Sequence, residues 1–268
     1  MQHQHFQLTY GPHDFHGIRA GHGPALLVCL HGFGESAAHF LPLAEGLGRR
    51  FTLVALDMPL HGRTVWNGEA PMRKEDLQHI LGLLLQQEGF TRFTLLGYSM
   101  GGRLALCAVE SMAAQLDALV LLAPDGLFAN PWHLFVTQTG VGHRLFRYQV
   151  THPAFFFKLL VLARRLGWIN ESIYKFAYQR MDTEEKRLQV YRVWTTLRRM
   201  MPDLHRVALQ MRQYQVKLLQ VFGQYDRVIP PAFSRRFGNA DFPVTTLVLE
   251  KGHQLINGSL GETIDTNL

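Results

Sequence analysis

The sequence predicts an α/β protein: a mostly parallel sheet flanked by helices, interrupted by an inserted all-helical segment. Three observations lead there. Short apolar runs alternate with helical stretches over residues 1–126 and again from residue 215, as in strands buried on both faces of a parallel sheet. Chemistry-bearing residues fall just past the C-terminal ends of those runs, the edge where such sheets bind ligands. Between Leu127 and Tyr214 no strand pattern occurs and helical segments dominate.

Taken in order, Gln4–Thr9 and Phe15–Arg19 read as two antiparallel strands about the turn at Gly11-Pro12. Ala25–Leu30 is a continuous apolar strand ending in His31-Gly32-Phe33-Gly34-Glu35-Ser36, and Ser36 is placed to N-cap a helix through Leu41, Leu43 and Leu47. Phe51–Leu56 is the next strand and ends in Asp57-Met58-Pro59-Leu60-His61-Gly62-Arg63. Lys74–Glu88 is an amphipathic helix, Phe93–Leu96 a strand, Met100 to about Ala113 a helix, and Ala118–Leu122 a strand closed by Ala123-Pro124-Asp125-Gly126. The insertion reads as helices over Trp132–Thr139, Pro153–Leu166, Ile173–Met181, Glu184–Met200 and Asp203–Met211. The sheet pattern resumes with Lys217–Phe222, a short helix around Ala232–Phe237, and the last strand Thr245–Leu249. These limits give a sheet core of residues 1–126 and 215–268 with a helical insertion over 127–214.

Composition narrows the function classes. The chain has 268 residues, 47% hydrophobic and 18% charged, ordinary for a globular protein with a full core. No apolar run is long enough to cross a bilayer, and the start Met1-Gln2-His3-Gln4-His5-Phe6 lacks a basic-then-apolar leader. Stable membrane insertion is therefore not expected. Cys29 and Cys107 read as buried thiols without a disulfide framework, which favours a reducing cytoplasm. The net charge of +6 is concentrated in the insertion, where 11 arginines and 3 lysines face 5 acidic residues. A solvated helical face explains most of that excess, so nucleic acid is not an expected partner; Pro153–Leu160 could lie on a bilayer, but a helical segment with a buried face is the simpler reading. The histidines show no metal-ligand spacing, and neither metal nor cofactor is expected.

The chemistry centres on Gly97-Tyr98-Ser99-Met100-Gly101, a G-x-S-x-G sequence between a predicted strand and a predicted helix. A serine hydroxyl is a weak nucleophile and needs a sharp turn that exposes it to a base. Glycines at 97 and 101 remove the Cβ atoms that would clash where strand and helix crowd together. Asp226 and His253 both lie past strand ends, and the chain order Ser99, Asp226, His253 is one in which an acid orients the base that activates the serine. Asp125, also after a strand, is the rival for the acid; otherwise it is a turn aspartate. His31 and His61 read as loop braces, Arg63 and Trp66 as exposed loop residues or entrance lining.

Four motifs in this order resemble the α/β-hydrolase superfamily over nearly the whole chain: His31-Gly32-Phe33-Gly34, Asp57-Met58-Pro59-Leu60-His61-Gly62-Arg63, Gly97-Tyr98-Ser99-Met100-Gly101-Gly102, and the Asp226 and His253 turns. The resemblance implies that Ser99 is the nucleophile, His253 the general base and acid, and Asp226 the residue orienting it. It implies an oxyanion hole from the backbone N–H groups of Phe33 and Met100, and it puts the insertion where that family carries its cap. The expected activity is serine-dependent hydrolysis of a carboxylic ester, thioester or activated C–C bond in a small molecule. Gly97 to Arg103 is also similar to the nucleophile segment of the menaquinone-pathway SHCHC synthases. That similarity would make the protein a lyase and put Arg103, with Tyr98 beside the serine, near a substrate carboxylate. A dehalogenase is disfavoured, since that branch carries aspartate in place of Ser99. A ligand-binding protein on the same fold would need no base. Two departures stand out: Leu60 occupies a place where the family often has glycine, and only 15 residues follow His253, too few for a long closing helix plus tail.

Overall fold

The computed structural model describes residues 2–238 and 240–268, except for the side chain at position 176. Eight strands form one sheet: β1 (His3–Tyr10), β2 (His13–Ala20), β3 (Ala25–Leu30), β4 (Phe51–Leu56), β5 (Phe93–Tyr98), β6 (Leu116–Leu122), β7 (Lys217–Gly223) and β8 (Val244–Leu249). Their order across the sheet is β1-β2-β4-β3-β5-β6-β7-β8. β1 and β2 pair antiparallel, as do β2 and β4; every later pair is parallel. All residues of β4 and β5 are buried, which is why those segments read as unbroken apolar runs.

The helices are α1 (Leu43–Leu47), α2 (Lys74–Glu88), α3 (Met100–Met112), α4 (Pro131–Gln138), α5 (Gly140–Thr151), α6 (Ala154–Arg165), α7 (Glu171–Met181), α8 (Glu184–Thr196), α9 (Leu204–Tyr214) and α10 (Gly258–Asn267). Two compact units result. One comprises the chain to Gly68, Met72–Phe128 and Met200–Leu268; the other comprises Glu69–Pro71 and Ala129–Arg199. The first holds the sheet with α1–α3, α9 and α10, and the second holds α4–α8. Thus α9, which the periodicity groups with the insertion, lies in the sheet unit and packs on α3.

Four local differences from the sequence expectations have physical causes. The helix expected from Ser36 through Leu47 is split into a 3-10 turn, Ala37–Phe40, and α1. Pro42 stands at the join, where a proline has no N–H for a continuing ladder, and the Ser36 side chain makes no capping bond. α5 is a helix that the glycines at 140 and 142 conceal; Thr139 caps it by accepting from the Gly142 N–H at 3.0 Å. The segment after His253 does contain a closing helix, the ten-residue α10. Asn257 caps it, Leu260 and Ile264 enter the core, and the glycine pair Gly46 and Gly261 lets it approach α1 at backbone distance. Leu60 is the fourth: it adopts φ +65°, so the loop keeps a left-handed residue without the glycine that normally relieves it.

Candidate active site

The sharp turn at Ser99 follows from what surrounds it. β5 runs buried to Tyr98, and α3 starts at Met100, leaving Ser99 alone to reverse the chain at φ 49°, ψ −117°. A non-glycine residue held there carries strain on the order of 1–3 kcal/mol. The strain is sustained by bonds on both sides: the Ser99 N–H donates to the Leu122 carbonyl at 3.0 Å, and the Ser99 carbonyl accepts from Gly102 and Asp125 N–H groups, each at 2.9 Å. A Cβ at Gly97 would stand 2.5 Å from the Gly101 carbonyl oxygen. One at Gly101 would run into the Leu30 carbonyl, and one at Gly102 would meet the Pro124 ring at 2.5 Å. The glycines let β5, α3 and the end of β3 converge.

Two further strand ends bring in the other side chains. The turns after β7 and β8 are stitched together, with Gln224 N–H donating to the Leu249 carbonyl at 2.7 Å and Tyr225 N–H to that of Lys251 at 2.9 Å. Asp226 is buried; its Oδ1 accepts from the Val228 and Ile229 N–H groups at 2.8 and 2.9 Å. Its Oδ2 stands 2.7 Å from His253 Nδ1. His253 Nε2 lies 3.1 Å from Ser99 Oγ. A carboxylate only accepts, so the proton is assigned to Nδ1, and Nε2 is left to accept from the serine hydroxyl. The Tyr98 hydroxyl donates to the His253 carbonyl at 3.3 Å.

The loop after β3 runs alongside. A Cβ on Gly32 would sit 3.2 Å from Ser99 Cβ, so the chain passes the serine in near contact just before Phe33. His31 anchors this loop: Nδ1 donates to the Gly32 carbonyl at 2.7 Å, and Nε2 accepts from the Met58 N–H at 2.9 Å. Full burial, with the neighbouring His61 acting the same way, lowers its pKa to about 3, so the ring is neutral. His61 lies edge-on to both His31 and Phe33, at ring separations of 5.1 and 5.5 Å. Asp57 completes the support by accepting from the Ala37 N–H at 2.7 Å and the Arg63 N–H at 2.9 Å. Gly62, at φ 53°, is required there because a Cβ would overlap the Asp57 carboxylate.

Ser99, His253 and Asp226 thus meet, Met100 follows the serine directly, and Phe33 comes in on the neighbouring loop. Two substrate-contact candidates are placed otherwise. Tyr98 is 1% exposed and part of the sheet core; as the last residue of β5 it faces inward when Ser99 faces out. Arg103 is 7% exposed, and its Nε lies 3.4 Å from Asp125 Oδ2. Asp125 therefore pairs with arginine, and it is the Asp226 carboxylate that contacts the histidine. Trp66 is buried rather than loop-exposed, stacked on His13 at 3.7 Å. Burial raises both thiols, Cys107 to about 12 and Cys29 well above the ordinary value, so both stay protonated. Spacing alone could not reveal the supporting bonds of Asp57 and Tyr98, since each reaches a backbone atom distant in sequence.

Comparison with known proteins agrees with this geometry at the level of fold. Residues 27–263 match the model of the alpha/beta hydrolase family. An uncharacterized hydrolase, YugF of Bacillus subtilis, is 25% identical over 228 residues, covering 84% of this chain and 81% of its own. The 2-succinyl-6-hydroxy-2,4-cyclohexadiene-1-carboxylate synthase of Yersinia enterocolitica is 37% identical over 95 residues, 35% of this chain and 33% of that protein. Among solved structures, the haloalkane dehalogenase DbeA of Bradyrhizobium elkani superposes with a TM-score of 0.69 at 15% identity, over 99% of this chain and 97% of that one.

Proposed function

This chain belongs to the α/β hydrolase family, and from that premise we propose that it is a serine-dependent hydrolase. It cleaves a carboxylic ester, thioester or activated C–C bond of a small molecule through an acyl-enzyme. The observation that carries this reading is the unbroken line of contacts from Asp226 Oδ2 through the His253 ring to Ser99 Oγ, at 2.7 and 3.1 Å.

Ser99 Oγ attacks the substrate carbonyl while its proton passes to His253 Nε2, and the imidazolium is held by the Asp226 carboxylate. The backbone N–H groups of Phe33 and Met100 stabilise the oxyanion, each donor lowering the barrier by about 3–4 kcal/mol. Collapse of the tetrahedral intermediate returns the proton from Nε2 to the leaving group. Water then attacks the acyl carbon, with His253 taking its proton, and Ser99 is released. The strained turn keeps Oγ presented throughout, so little reorganisation is needed at the moment of attack.

Ser99→Ala should lower turnover of short p-nitrophenyl esters by at least about a thousandfold, and a fluorophosphonate probe should label the parent protein but not this variant. Unchanged turnover in Ser99→Ala would end the proposal.

The partial similarity to the synthase favours a second reading, a lyase acting on a carboxylate-bearing substrate. In that reading a substrate carboxylate takes over Arg103 from Asp125. Turnover of the SHCHC precursor that collapses in Arg103→Ala would support it, and an inert precursor removes it.

A further inference from the structure

We propose that the helical unit docks on an anionic lipid surface through the outer face of α6. Phe155, Leu159, Leu162 and Leu166 are 66%, 42%, 47% and 52% exposed. Their spacing of four, three and four residues puts them on one stripe. Trp168, 76% exposed, follows just past the helix end. The inner face is the one held by the unit: Phe157 packs against Tyr178 at 5.1 Å, and Arg164 pairs with Glu171 and lies over the Tyr174 ring at 4.2 Å. α6 is therefore apolar on two sides, and only one of them is used by its own fold.

The charges around the stripe select its occupant. Lys158 and Arg165 are exposed along its edge, and among the described residues neither forms an ion pair. No acidic residue occurs from Gly126 to Asn170, where five cations stand: Arg144, Arg147, Lys158, Arg164 and Arg165. α5 repeats the pattern, with Val141, Leu145 and Tyr148 exposed at helical spacing beside Arg144 and Arg147. A second copy pairing through this face would bring cations against cations. A bilayer with anionic headgroups offers phosphates to the cations, and the acyl boundary takes the apolar stripe and the indole. No described helix is long and apolar enough to cross a membrane, so the contact is peripheral.

The test is co-sedimentation with vesicles of equimolar phosphatidylglycerol and phosphatidylcholine, against phosphatidylcholine alone. The parent protein should bind the anionic vesicles at low salt and release as salt rises. Lys158→Gln with Arg165→Gln should weaken that binding roughly 30-fold. Leu159→Ser with Leu162→Ser should abolish it, and Trp168→Phe should remove a fluorescence blue shift seen on vesicle addition. Both double variants should keep the parental melting temperature and p-nitrophenyl ester turnover, since all four side chains are exposed. Absence of binding to anionic vesicles at low salt overturns the proposal, as does binding that neither double variant changes. A parental dimer that Leu159→Ser with Leu162→Ser converts to a monomer also overturns it, by showing that a second copy covers the stripe. A catalytically inert protein would leave the vesicle result intact, so the two proposals fail separately.

Discussion

Asp226 uses both carboxylate oxygens, and the division of labour explains why no amide can replace it. Oδ1 is committed to two backbone N–H groups, and Oδ2 faces His253 Nδ1. In Asp226→Asn, keeping the amide oxygen on the two N–H groups turns the NH2 toward Nδ1, which then becomes an acceptor and moves the ring proton to Nε2. The serine hydroxyl loses its acceptor. We expect kcat for p-nitrophenyl esters to fall by about 10³–10⁴ with KM little changed. Asp125→Asn, which disturbs the contact to Arg103 and the bond accepted from the Gly126 N–H but none to His253, should stay within about tenfold of the parent. Equal losses in the two variants would mean that the acid is misassigned. Tyr98 shows another residue-scale division: its hydroxyl holds the backbone of His253, a positioning task that no motif encodes.

Among elements, glycines separate what crowding demands from what it does not. Gly101 lies where β3, β5 and α3 meet, and a methyl there would strike the Leu30 backbone, which cannot move without opening the sheet. Gly82 lies inside α2 with nothing within 4 Å of a built Cβ. Gly101→Ala should cost about 3 kcal/mol or more, whereas Gly82→Ala should stabilise by about 0.5–1 kcal/mol through helix propensity. Urea unfolding midpoints of the two variants, moving in opposite directions from the parent, would check this; a shared direction would refute the crowding account. The same contrast explains what was legible in the sequence. The central strands are buried on both faces and so announce themselves, and Gly97, Ser99, Gly101, Asp226 and His253 fall at strand ends where chemistry is expected. α5 was hidden because Gly142 serves close packing against Phe135 but reads as a helix breaker. The split at Pro42 comes from a proline inside an apolar periodicity that otherwise reads as one helix, and the docking of α10 depends on long-range packing on α1, which local periodicity does not carry. A bilayer-facing reading of Pro153–Leu160 was open from the sequence, but an apolar helix reads the same whichever face its fold uses, so which side of α6 is exposed was not decided there.

For the whole molecule, the edge that holds the site depends on an uncharged imidazole. His31 links the β3 loop to the β4 loop by a bond at each ring nitrogen, and protonating Nε2 would set a donor against the Met58 N–H. Its folded pKa is depressed, to about 3, from an ordinary value of 6.5. Above pH 6.5 both folded and unfolded chains carry it neutral, and it adds no pH dependence. As pH falls below 6.5 the unfolded chain takes up the proton and the folded chain does not, so stability declines continuously toward pH 3. From pH 7 to pH 5 this one residue should remove about 2 kcal/mol, with a limiting slope of about 1.4 kcal/mol per unit. His13 and His39, also lowered by burial, act in the same direction. Urea unfolding free energies across that interval should therefore fall more steeply for the parent than for His31→Gln. That variant starts from a lower stability at pH 7, because it loses the ring that spans the two loops. Parallel pH profiles for the two proteins would show that His31 is protonated in the folded chain and that the loop bearing Phe33 is braced by some other means.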